Sequence, residues 1–181
     1  MRQLDESINL LVLGTAQDGG YPHTGCTEDC CVQVWKDPTN KRMVASLAII
    51  SEKLCFLIDI TPDFKYQLQL IERHINEKPR ISGICITHAH LGHYMGLLEL
   101  GLEVMNTNDI PVYVMPRMKS FLENNAPFTQ LLELNNIRLL ALQDNYPIER
   151  TFLEEIAQNK GREGNHHQHD RVQSSTPALS S

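Results

Sequence analysis

Ile84-Cys85-Ile86-Thr87-His88-Ala89-His90-Leu91-Gly92-His93-Tyr94-Met95-Gly96-Leu97-Leu98 is the stretch whose reading decides the fold. Ile84, Cys85 and Ile86 read as the end of a buried strand. Three histidines follow at positions i, i+2 and i+5. Met95, Leu97 and Leu98 then open an apolar helical pattern. A strand that runs into a histidine turn and then a helix puts imidazoles at the carboxyl edge of a sheet, where open α/β folds hold ligands. Residues two apart in an extended segment point the same way, so His88 and His90 can grip one ion. His93 comes round on the turn beside them. Neutral imidazole is the commonest metal ligand and suits zinc or iron. The competing reading, three solvated turn histidines, sits poorly with so tight a spacing.

Working outward, residues 8–13 form a strand that enters a loop, Gly14-Thr15-Ala16-Gln17-Asp18-Gly19-Gly20-Tyr21-Pro22. Asp18 either approaches the metal site from one side or holds its own turn through side-chain to backbone hydrogen bonds. Cys26, Cys30 and Cys31 follow, with His23 just before them. Three thiols bind zinc if a fourth ligand is supplied, and His23 is the nearest candidate. The alternative is a set of reduced cysteines without a metal. Residues 44–50 and 54–60 read as two strands joined by Ser51-Glu52-Lys53. Asp59, at the end of the second, orients a ligating imidazole, caps the next helix, or does both. That helix spans 62–75, with Phe64, Leu68, Ile71 and Ile75 inward. A helix over 94–102 and a strand over 112–115 come next. Pro116 opens a helix with Met118, Phe121 and Leu122 inward. A short helix over 128–134 and a strand over 137–142 complete an α/β layered pattern.

The chain has 181 residues, 41% hydrophobic and 21% charged, enough for one domain with a sizeable core. A net charge of -6 with no basic cluster argues against nucleic acid as a partner. The apolar runs are too short to span a bilayer, and the start does not read as a signal peptide. Five cysteines without a secretory signal read as reduced thiols or metal ligands, which points to the cytoplasm. The expected division is a domain over 1–156 and a polar, unstructured tail over 157–181. The tail includes His166, His167 and His169.

Thr87-His88-Ala89-His90-Leu91-Gly92-His93 resembles the T-H-x-H-x-D-H signature of the metallo-β-lactamase superfamily. Leu13 to Pro22 followed by Cys26, Cys30 and Cys31 is similar to its pyrroloquinoline-quinone-biosynthesis branch, which carries a cysteine-bearing loop after the first strand. The likeness runs over about residues 7–148 and includes Pro111 to Met118 and Leu134-Asn135-Asn136. It implies an α/β fold, the αββα sandwich, of which this chain would carry the N-terminal half to two-thirds. It also implies His88, His90 and His93 as ligands of zinc, iron or manganese, with Asp59 supporting them from behind. A structural zinc on Cys26, Cys30 and Cys31 would be a second ion. The signature's Asp falls on Gly92, which has no side chain to offer, so one ion is expected at the histidines, and Gly92→Asp is expected to strengthen the second position. The ligands that the superfamily draws from its second half have no counterparts, since the only histidines after His93 lie in the tail.

The implied activity is hydrolysis. A metal brings the pKa of bound water to about 7 and holds it against an ester, amide or phosphoester of a small-molecule substrate. Two other classes stand beside it: a metal-binding or interaction protein without turnover, and a quinone-biosynthesis-like oxidoreductase. The strands are near-continuous apolar runs, so each sheet face needs a cover. Half a sandwich would leave one face bare, and a homo-oligomer formed through that face is the expected partner arrangement.

Overall fold

The computed structural model describes residues 8–51 and 54–143. The expected boundary at 156, the tail and its three histidines lie outside the described residues. Six strands form one sheet: β1 (Ile8–Gly14), β2 (Ser46–Ser51), β3 (Leu54–Ile58), β4 (Arg80–Cys85), β5 (Ile110–Val114) and β6 (Ile137–Ala141). They lie side by side in chain order. The pairs β1–β2 and β2–β3 are antiparallel, and β3 to β6 run parallel. The connections dictate this. A two-residue link between β2 and β3 allows only a hairpin, whereas parallel neighbours need a longer crossover. Helix α2 (Phe64–Ile75) supplies it between β3 and β4, and α3 (Pro116–Glu123) with α4 (Phe128–Glu133) between β5 and β6.

Residues paired across strands share a face, and one row crosses the whole sheet: Leu11, Ala48, Leu57, Ile84, Val112, Leu139. This face packs with Phe64 and Ile71 of α2, Met118 and Leu122 of α3, and Phe128 and Leu131 of α4. The next row, Val12, Leu47, Ile58, Cys85, Tyr113, Leu140, is apolar too and points to the opposite face. Apolar residues on both faces explain the continuous runs in the sequence. On the edge strand β1, Ile8, Leu10 and Val12 are exposed.

The structure departs from the sequence reading at four places. The helix expected over 94–102 is a 3-10 segment, Met95–Leu100, preceded by a 3-10 turn at Leu91–His93. Gly96 lies so close to the preceding loop that a Cβ there would stand 2.3 Å from the Thr61 carbonyl oxygen. Its N–H bonds the Ile60 carbonyl at 3.1 Å. The tighter winding puts Leu97 and Leu100, three apart, fully inside. Phe121, expected inward, is half-exposed; it meets Tyr94 edge-on and Phe128 at a tilt. An unexpected helix, α1 (Asp29–Lys36), buries Cys31 and Val34. Strand β3 stops at Ile58, so Asp59 and Ile60 lie beyond it. On α2, Gln67 is fully buried. Its Nε2 donates to the Val44 carbonyl, and its Oε1 accepts from the Thr61 hydroxyl, which ties the helix to the base of the histidine turn. Among the described residues no helix is long and apolar enough to cross a membrane.

Candidate metal centre

The parallel register of β3 and β4 pairs Ile58 with Cys85. The chain therefore leaves both strands side by side, and Asp59 meets Thr87. Asp59 is buried and adopts φ 64°, a left-handed conformation that costs a non-glycine residue free energy and persists only where its surroundings fix it. Its N–H donates to the Cys85 carbonyl at 2.8 Å, and its own carbonyl accepts from the Ser46 hydroxyl at 3.0 Å. Its carboxylate accepts from the Thr87 N–H at 2.8 Å, from the Thr87 hydroxyl at 2.8 Å and from His93 Nδ1 at 2.7 Å. None of these bonds caps α2, so the capping alternative for Asp59 is set aside. The cap position belongs to Asp63, whose carboxylate instead accepts from the Val44 N–H.

Counting protons along this network fixes two tautomers. An ionised carboxylate only accepts, so His93 Nδ1 must carry hydrogen. The lone pair of His93 is then on Nε2. The single hydroxyl proton of Thr87 also goes to Asp59. His88 Nδ1 lies 2.9 Å from that same oxygen, which has no second proton to give. His88 Nδ1 is therefore the donor, and its lone pair is likewise on Nε2. One buried carboxylate thus sets both imidazoles as Nε2 bases, the arrangement that orients metal-ligating histidines.

The rings gather as a group. His88 lies 4.6 Å from His90 and 4.1 Å from His93, centroid to centroid. Ligand atoms of Asp59, His88 and His93 all fall within 4.8 Å of one another. The carboxylate of Asp59 already accepts from the Thr87 N–H, the Thr87 hydroxyl and His93 Nδ1, so it positions the imidazoles there. The free carboxylate comes from elsewhere. Asp18, on the loop after β1, places Oδ1 3.5 Å from His93 Nε2 and Oδ2 3.8 Å from His90 Nδ1. Among the described residues its side chain bonds the Gly92 N–H, at 3.1 Å, and no backbone group of its own turn. Three imidazoles and one carboxylate gathered at one strand edge are a donor set that suits a divalent cation. An open cleft between Thr15–Asp18 and the His90 and His93 side chains leads to them.

The second cluster is the cysteine corner. The thiols of Cys26, Cys30 and Cys31 lie within 4.8 Å of one another, Cys31 buried and Cys30 exposed at the start of α1. His23 does not join them as the fourth member. Its Nδ1 lies 3.0 Å from the Thr24 carbonyl and its ring sits over Gly19, although its backbone N–H reaches Cys31 Sγ at 3.3 Å. The remaining two cysteines lie on β3 and β4. Burial pushes the Cys55 thiol up to about 12. Burial and then the nearby charge of Asp59 raise Cys85 as well.

The mixed sheet, the strand-edge histidine turn and its buried carboxylate define a class. Residues 55–174 match the family described as the beta-lactamase superfamily domain, and the chain belongs to that family. Within it, the chain is similar to coenzyme PQQ synthesis protein B. Identity is 28% over 100 residues with the protein of Xanthomonas axonopodis pv. citri (strain 306), covering 51% of this chain and 33% of that protein. With the protein of Rhodopseudomonas palustris (strain TIE-1) it is 29% over 133 residues, covering 70% and 42%. The chain thus spans between a third and about two-fifths of the length of these relatives. The crystal structure of Zn2+-bound PqqB from Methylobacterium extorquens shares the fold, with a TM-score of 0.63 at 21% identity, covering 76% of this chain and 50% of that one. A crystal structure of a diphosphatase from the PhnP family gives 0.54 at 25% identity, covering 75% and 50%.

Proposed function

We propose that this chain provides the metal-binding half of a metal-dependent hydrolase site, with His88, His90 and His93 as the imidazole ligands and zinc as the first candidate ion. What supports this reading is the buried carboxylate of Asp59, which holds Thr87 and His93 directly and His88 through Thr87, with ligand atoms of Asp59, His88 and His93 within 4.8 Å of one another. When bound, a divalent cation supplies Lewis acidity, which makes water nucleophilic near neutral pH and polarises an ester or phosphoryl oxygen. The protein's own part is orientation. Asp59 and Thr87 keep His88 and His93 from rotating, and the left-handed bend at Asp59 turns its carboxylate back under the histidine turn. The β1 loop walls one side of the cleft and leaves the other open for substrate. Phosphoesters are the preferred substrate class, since a PhnP-family diphosphatase is among the proteins of similar fold at 25% identity.

The test uses the full chain without an affinity tag. Bound metal is measured by mass spectrometry, and turnover is measured on a generic phosphodiester and a generic carboxylic ester. Hydrolysis that follows metal content and is lost in His93→Ala is the expected result. Metal uptake without turnover on either substrate would favour a binding protein. A folded protein that takes up no metal would remove the reading altogether.

A further inference from the structure

We propose that Asp18 replaces the carboxylate missing at position 92, so that the ion held by His93 has an oxygen ligand supplied from the β1 loop. This rests on the metal-binding reading and deepens it. An ideal Cβ built on Gly92 would stand 2.5 Å from Asp18 Oδ1, 2.6 Å from Asp18 Cα and 3.0 Å from Asp18 Cβ. The space that a side chain at 92 would use is therefore filled by Asp18. The Gly92 N–H holds Asp18 Oδ1 in that space. Gly92 is thus not a simple loss from the signature. It is the residue that admits a carboxylate from 74 positions earlier in the chain.

Charge and lone pairs argue the same way. His93 Nδ1 donates to Asp59, which leaves an Nε2 lone pair facing Asp18 Oδ1 at 3.5 Å. That gap is close to the separation of two ligands on one tetrahedral ion, roughly 3.4 Å for bonds of about 2.1 Å. The second oxygen of Asp18 faces His90 Nδ1 at 3.8 Å, so one carboxylate addresses two of the three imidazoles. Gly19 and Gly20 follow directly, and Gly20 at φ 73° turns the loop away once Asp18 is in place.

Cobalt(II) titration of the full chain, read by binding isotherm and visible absorption, tests this without any substrate. Asp18→Asn keeps the size and the acceptor for Gly92 N–H but removes the charge. It should fold as wild type while cobalt affinity falls roughly tenfold to a hundredfold and the absorption bands shift. Asp18→Glu should recover part of the affinity. If Asp18→Asn binds cobalt with unchanged affinity and spectrum while His93→Ala does not bind, Asp18 is no ligand and the histidine site stands without it. If the wild-type chain binds no cobalt, both readings fall. Should Asp18→Asn be unfolded by its melt, Asp18→Ser in a folded chain gives the same decision.

Discussion

The histidine turn and the cysteine corner are both compact groups of metal-seeking side chains, yet they are held in different ways. At the turn, a buried carboxylate grips a threonine and two imidazoles through a chain of short hydrogen bonds. These bonds need no ion, so the donor atoms are aimed by the fold. At the corner, three thiols approach one another at the start of a helix, and the bonds around them are a 3.9 Å contact between Cys30 and Cys31 and one N–H from His23. Proximity there is not matched by orientation. A cation bound at the turn would find prepared ligands, whereas one bound at the corner would have to arrange them.

The sharpest way to break this contrast is Asp59→Ala. Thr87, His93 and, through Thr87, His88 would lose their anchor, and an alanine would be left in a left-handed conformation. The expected loss is on the order of 3 to 5 kcal/mol in urea unfolding. An unchanged unfolding midpoint would mean that the carboxylate supports nothing.

A second effect separates core thiols from corner thiols. Cys55 is raised from 9.0 to about 12 in the folded protein. Below pH 9 both folded and unfolded chains keep the proton, and its contribution is fully present. Between pH 9 and 12 only the unfolded chain releases it, so stability falls as pH rises, by on the order of 4 kcal/mol over the window. Cys85 acts in the same direction. Urea midpoints at pH 8 and pH 10.5 should therefore differ less in Cys55→Ala than in wild type.

Gly92→Asp tests whether the turn has room. Against the Asp18 backbone the new side chain should cost about 1 to 3 kcal/mol and add no metal. Extra cobalt in a stable Gly92→Asp chain would show that the β1 loop yields easily. The smallest effect belongs to the corner. Cys30 is exposed, so Cys30→Ser in chelator should shift stability by less than about 0.5 kcal/mol, with a larger gap opening only when zinc is added.

Much of the fold was legible because apolar runs separated by turn residues mark strands directly. The histidine turn was legible because its residues are adjacent in sequence. What escaped was decided by contacts between distant segments. The 3-10 winding after His93 comes from Gly96 pressing on Thr61, which no local period reveals. Helix α1 escaped because its buried positions include Cys31, which reads as chemistry before it reads as core. Asp18 had two readings in the sequence, its own turn or the histidines, and the choice depended on which loop meets Gly92. The expectation that Gly92→Asp would strengthen a second position did not foresee that Asp18 already fills the space a Cβ at 92 would use.

The Asp18–Gly92 hydrogen bond also has a consequence in time. Closing a loop of 74 residues costs roughly 4 kcal/mol of chain entropy beyond a constant, and one hydrogen bond returns about 1 kcal/mol. The bond cannot nucleate anything. It is expected to form only once the β1–β2, β2–β3 and β3–β4 pairings have brought the two loops together. The cleft is then the last part of the sheet edge to assemble and the first to open. The Gly92 amide should exchange its hydrogen for deuterium faster than the amides of β3 and β4, through brief departures of the β1 loop that leave the core closed.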